Sequence, residues 1–225
     1  MTGSPATVEE VTMSGQGTEL FPELAAYIAE RLGEADEIPT GRTAELDEIA
    51  GWVGERVRGG GPARLVFICT HNSRRSHMAQ LWAEAAARLF DVPGVETFSG
   101  GTESTAFNPR AVSALQRAGF LIEPFTDGAN PIYEVSYEPG MEPTQAFSKA
   151  YDAPPNPRDA FAAVMTCSAA DAACPLVFGA AARFAIPYDD PKEADSTEGE
   201  AAAYDERCRQ IAREMLYLFA QVARG

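Results

Sequence analysis

Histidine is nearly missing from this 225-residue chain, which has two, and cysteine is scarce, at four. Both histidines, His71 and His77, lie close to Cys69, and Cys167 stands too far from Cys174 for a zinc knuckle, so no metal is expected. No cofactor is expected either. No apolar run approaches the roughly 18 residues of a membrane span. The N-terminus, Met1-Thr2-Gly3-Ser4-Pro5, lacks the basic-then-apolar pattern of a secretory signal, which leaves the cytoplasm as the expected compartment. Positive charge is also short: 18 Lys and Arg face 33 Asp and Glu, a net charge of −15. So acidic a chain repels phosphate backbones and anionic lipid, which argues against nucleic acid or a membrane as partner. A small anion could be held only where positive potential is concentrated.

What is present is globular. Hydrophobic residues make up 45% and charged residues 23%, and the length suits one domain with an extension. Residues 1–18 are small, polar and acidic, and read as a disordered tail. Phe21, Leu24, Ile28 and Leu32 recur at helical spacing between Leu20 and Leu32. A second helix from about Thr43 to Val57 sets Leu46, Ile49, Val53 and Val57 on one stripe. These read as an antiparallel helix pair packed on the main domain. Gly59-Gly60-Gly61-Pro62 then breaks the chain, placing an extension at residues 1–60 and the catalytic domain at 61–225.

Beyond the break, strand and helix alternate. Arg64–Ile68 is a short buried strand that ends at Cys69, and a helix follows from about Ser76 to Phe90. Val95–Phe98 is a strand closed by Gly100-Gly101. Asn108-Pro109 opens a helix with an N-cap and a proline at its first position, and Gly119 stops it. Phe161–Thr166 and Arg183–Ile186 are further strands, and a long helix runs from about Gly199 to Val222. This order predicts an α/β fold of three layers, a central four-stranded parallel sheet flanked by helices, plus the N-terminal helical extension. Between Asp127 and Arg158 no period emerges, so that stretch is either functional or an insertion.

Cys69-Thr70-His71-Asn72-Ser73-Arg74-Arg75-Ser76 joins the first strand to its helix. A Cys-x5-Arg loop in that position can turn its amide N–H groups inward around a tetrahedral anion, aided by the positive end of the helix. The same groups favour a thiolate. Arg75 can grip two oxygens of the anion at once, and Asn72 and Ser76 can hold the loop's shape or donate to the thiolate. Thr70, His71, Asn72, Ser73, Arg74, Arg75 and Ser76 are therefore the candidate substrate-binding residues, with Cys69 as nucleophile.

This loop resembles that of the low-molecular-weight protein tyrosine phosphatase superfamily, which includes the thioredoxin-coupled arsenate reductases, and the resemblance spans about residues 64–222. Members commonly read Cys-Thr-Gly-Asn-Ser-Cys-Arg-Ser. Here His71 replaces the glycine, where histidine tolerates a positive φ better than most residues, and Arg74 replaces the second cysteine.

Cys167 and Cys174 follow a strand and end in Cys-Pro. Alone they would read as core residues. The resemblance instead implies a redox relay, because the reductases carry a Cys-x6-Cys segment there, and Ser168 to Ala173 are small enough to reorganise. Pro187-Tyr188-Asp189-Asp190-Pro191 stands where the superfamily carries its general acid. Asp190 matches best, with mutual repulsion from Asp189 favouring a proton on one of the two, and an Asx turn beside Pro191 is the plainer reading. Where the phosphatases often carry a tyrosine pair, this chain has Lys192-Glu193-Ala194-Asp195.

The implied reaction is reduction of arsenate to arsenite by Cys69, Arg75, Asp190, Cys167 and Cys174, with thioredoxin or a similar thiol reductant as partner. Hydrolysis of a phosphate ester through a phosphocysteine is the alternative. A sensor that binds oxyanions without turnover is a third.

Overall fold

The computed structural model describes residues 20–174 and 176–225. The tail expected over residues 1–18 lies outside the described residues. Helices α1 (Pro22–Leu32) and α2 (Thr40–Arg58) come first, joined by a short 3-10 turn. There follow β1 (Ala63–Cys69), α3 (Arg75–Leu89), β2 (Val95–Gly101), α4 (Pro109–Arg117) and β3 (Leu121–Pro124). The chain continues through β4 (Tyr133–Ser136), β5 (Thr144–Ala146), β6 (Phe161–Met165), α5 (Ser168–Ala173), β7 (Ala180–Ala185) and α6 (Glu200–Arg224).

The main sheet runs β2-β1-β6-β7 with every pairing parallel. Strands covered on both faces need continuous apolar sequence, which β6 shows with all five residues buried. Alternation along β1 and β6 sorts their side chains into two cores. Leu65, Phe67, Ala162 and Val164 join the larger core under the long helices. Val66, Ile68, Phe161, Ala163 and Met165 form the smaller one, together with Cys69 and Cys167. The larger face carries α1, α2, α3 and α4 arranged around α6, whereas the smaller face carries α5.

The two N-terminal helices pack chiefly against α6 rather than as a pair, and they share the main core. Leu24, Ile28, Leu46, Ile49 and Val53 are buried in it. Tyr27 stacks on the buried Trp82 at 5.6 Å between centroids. Gly119, which ends α4 at φ 104°, also receives α1: a Cβ there would lie 2.3 Å from the Leu24 amide nitrogen. Its small size serves helix packing as well as the turn.

The period-free stretch after Asp127 holds structure that the sequence pattern did not show. A second, antiparallel sheet of order β3-β4-β5 begins before it and runs into it. Strands of four, four and three residues each bury one residue fully, Ile122, Val135 and Ala146. One buried side chain per strand leaves no alternation to read.

Candidate active site

Cys69 is the last residue of β1 and only 3% exposed. The chain then turns through Asn72 at φ 44° and enters α3 at Arg75. The left-handed residue is thus Asn72 and not His71. Asparagine is among the side chains most at ease there. The Asn72 amide donates to Ser76 Oγ at 2.9 Å, and Ser76 Oγ lies 3.1 Å from Cys69 Sγ. That hydroxyl accepts from Asn72 and keeps its own proton free to donate, so it can give a hydrogen bond to a Cys69 thiolate.

The outer rim of the loop is tied down through its carbonyls. Cys69 O accepts from Thr102 N at 3.2 Å, Thr70 O from Glu103 N at 2.9 Å, and Ser73 O from Asn108 N at 2.9 Å. His71 O accepts from Ser148 Oγ at 2.9 Å and from Thr105 Oγ1 at 3.2 Å. None of these bonds uses the amide hydrogens of Thr70 to Arg75. Engagement of the carbonyls with the amides left over is what an oxyanion nest would require. Gly101 lets the rim close: a Cβ there would sit 2.2 Å from Glu103 O and 2.7 Å from Asn72 N.

Arg75 reaches across to the acidic loop. Its Nη1 donates to Tyr188 O at 2.8 Å and its Nη2 to Asp190 Oδ2 at 2.6 Å. The other Asp190 oxygen, Oδ1, accepts from Lys192 N at 3.1 Å and caps a 3-10 turn. The Asx turn and the arginine contact therefore coexist, one on each oxygen. Asp189 and Asp190, between which repulsion was expected, turn apart. Asp189 is 99% exposed and turns toward Arg207, while Asp190 turns inward.

His71 and Arg74 both point away from the loop centre. His71 is half-buried, with Nε2 3.9 Å from Glu103 Oε2. Arg74 donates to Tyr204 Oη at 2.7 Å and lies 3.4 Å from Asp195 Oδ2, fastening the loop to α6 rather than standing free as a surface cation. Burial, followed by Asp195, pushes the Tyr204 phenol up to about 12, so it stays a neutral donor to that carboxylate.

Cys167 lies buried beside the loop, its Sγ 3.5 Å from Thr70 Oγ1. It also accepts from Ala170 N at 3.3 Å and so caps α5, a helix of six residues. Cys174 closes that helix and is partly buried against the same small core as Cys69 and Cys167. From β7, Arg183 donates to Asp171 O at 2.8 Å and Cys174 O at 3.2 Å, holding the far end of α5. All four cysteines are free thiols. Cys208 is remote from this group, in the α6 core under Trp82 Nε1 at 3.3 Å, and burial pushes its thiol up to about 12.

The residues behind the loop left no sign in the sequence. Lys149 N donates to Asn72 Oδ1 at 2.9 Å, and Asn130 brackets Ser148 through both backbone groups. The Lys149 side chain is buried, and burial brings its ammonium down to about 8. Next to it, His77 is fully buried, stacked on Phe107 at 4.1 Å. Burial first, then Lys149, holds His77 well below its usual range, so the imidazole is neutral. Among the described residues, no group of three or more His, Cys, Asp or Glu gathers as a metal site. No described helix is long and apolar enough to cross a membrane.

No family model matches the chain. It is 31% identical over 158 residues to an arsenate reductase of Bacillus licheniformis, covering 70% of this chain and 94% of that protein. It is 26% identical over 160 residues to an arsenate reductase of Bacillus subtilis, covering 71% and 96%. A low-molecular-weight phosphotyrosine phosphatase structure from Vibrio cholerae aligns at 13% identity with a TM-score of 0.46, covering 69% of this chain and 94% of that one. On the first of these relationships, the chain belongs to the arsenate reductase family and is an enzyme of that family.

Proposed function

We propose that the protein reduces arsenate to arsenite with Cys69 as nucleophile and Cys167 and Cys174 as a thiol relay. The observation that carries this reading is the position of Cys167, buried in the same small core as Cys69, with its sulfur against the side chain of Thr70. The arsenate reductase activity of the Bacillus relatives supports it. Arsenate enters the nest of loop amides, with Arg75 turning from Asp190 to share its charge. The Cys69 sulfur attacks arsenic, and Asp190 delivers a proton to the departing oxygen, which leaves as water. Cys167 then attacks Cys69 Sγ. The sulfur–arsenic bond breaks, and its electron pair stays on arsenic, which leaves as arsenite. Cys174 attacks Cys167 in turn, returning Cys69 to the thiol and leaving a Cys167–Cys174 disulfide for a thioredoxin-like dithiol to reduce. The compartment that suits this chemistry is a reducing cytoplasm.

Relay between these sulfurs requires α5 to unwind. Six residues make under two turns, too short to be stable without tertiary support, so the helix can open where a longer one could not. The test compares thioredoxin-coupled arsenate reduction with aryl-phosphate hydrolysis in the parent and in Cys167→Ser. The reading expects reduction in the parent, its loss in the variant, and hydrolysis kept by both. A parent that hydrolyses aryl phosphate but never reduces arsenate would make the protein a phosphatase.

A further inference from the structure

The acidic loop from Pro187 to Pro191 is gripped from two sides by two arginines. Arg75 of the catalytic loop takes the Tyr188 carbonyl at 2.8 Å. Arg42 takes the carbonyl just before it, donating from Nη2 to Pro187 O at 2.6 Å across 145 positions of sequence. Arg42 belongs to α2, in the N-terminal helices to which no part of the chemistry above falls. Its guanidinium is itself held. Nε lies 3.5 Å from Glu214 Oε2 on α6, and the plane sits over the Tyr188 ring at 5.4 Å. Glu214 is 1% exposed, and burial pushes its carboxyl upward with Arg42 as the largest opposing influence. Tyr188 is buried, and its own N–H donates to Thr166 O at 3.1 Å.

We infer that Arg42 is a positioning residue for Asp190, through which the N-terminal helices set the aim of the proton donor in the catalytic site. This rests on the acid role proposed for Asp190. An arginine fork with one arm on a loop carbonyl and its Nε beside a buried carboxylate fixes the loop in a plane, which a freely rotating ammonium does not. Proton delivery to a leaving group depends on placing the acid within a few tenths of an ångström, so a loop freed at Pro187 loses protonation before it loses binding.

The test is a series of aryl phosphates of rising leaving-group pKa, measured in the parent, Arg42→Met, Asp190→Asn and the double variant, with the inhibition constant of inorganic phosphate recorded beside it. A group that protonates the leaving oxygen matters most where that oxygen leaves badly. Arg42→Met is expected to lose about 10-fold in kcat/KM on the poorest leaving groups and under about 2-fold on the best. Its phosphate inhibition should be unchanged, and it should add nothing further in the Asp190→Asn background. Arg42→Lys, which keeps the charge without the fork, should fall between parent and Arg42→Met, and it carries the test should the methionine variant not fold. A uniform loss across the series, or an additive effect on top of Asp190→Asn, overturns the inference and leaves Arg42 a purely structural residue. A flat leaving-group dependence in Asp190→Asn itself overturns the acid role instead.

Discussion

The segments Cys69–Ser76 and Cys167–Cys174 each leave the C-terminal end of a neighbouring strand of the same sheet, yet they are held in opposite ways. Around the first, carbonyls of Cys69, Thr70, His71 and Ser73 are each claimed by a donor from elsewhere in the fold, and Asn72 is bonded through both ends of its amide. The second is a six-residue helix whose ends rest on one cysteine sulfur and one arginine. A site that must present amides to an anion gains from preorganisation. A sulfur that must travel between two partners needs the reverse, a segment of low local stability. On the proposed mechanism, the difference separates a binding device from a moving one within a single small core.

The largest effect expected is at the shared step. Cys69→Ser removes the nucleophile from both reactions, and arsenate reduction and aryl-phosphate hydrolysis should each fall by at least about 1,000-fold, measured on the same preparation. If either survives, the two chemistries do not share the loop. Arg183→Gln sharpens the contrast from the other side. It removes the charged hold on Asp171 O and Cys174 O, so amide exchange over residues 168–173 should quicken while aryl-phosphate hydrolysis stays within about 2-fold of the parent. Unchanged exchange would show that the helix is held by something other than Arg183.

A smaller effect is expected behind the loop, where rigidity carries a cost. Lys149 is a buried ammonium brought down to about 8 from an ordinary 10.5 by desolvation. Below pH 8 the folded state bears the whole cost of keeping it charged. Between about 8 and 10.5 the unfolded chain binds more protons than the folded one, so this residue's contribution to stability improves as pH rises. Lys149→Met should therefore raise stability by roughly 1–3 kcal/mol near neutral pH in denaturant titrations, with the gain shrinking toward pH 10. Its backbone donation to Asn72 is kept, so the loop should be unharmed. A variant less stable than the parent at pH 7 would mean that the ammonium itself supports the loop.

How much of this was legible in the sequence follows the same division. The loop is contiguous, and its chemistry depends on Cys69, Arg75 and Ser76 at fixed spacing after an apolar run, so it could be read directly. The parallel sheet followed from alternation of strand and helix. Cys167 and Cys174 could not be interpreted from spacing alone, since two cysteines seven apart fit a core equally well, and only the family resemblance gave them a role. Ser148, Lys149 and Asn130 left no trace, because what matters is contact with residues up to 77 positions away, made from loop positions that carry no periodic pattern. Arg42 was hidden for the same reason, on the polar side of a helix whose apolar stripe drew the reading. His71 stands where the family's loop carries glycine, and a positive φ was considered there. The turn falls on Asn72 instead, and Arg74 has been drawn into the Tyr204–Asp195 contact.

The central claim is that the Cys69 sulfur releases its arsenic as arsenite when it forms a disulfide with Cys167. It is tested most directly by one turnover of Cys174→Ser with arsenate and no reductant, followed by alkylation of free thiols and peptide mapping by mass spectrometry. The account predicts one arsenite released per chain and a Cys69–Cys167 disulfide that does not form without arsenate. Arsenite released with Cys167 still free, or no disulfide and no arsenite at all, would contradict it.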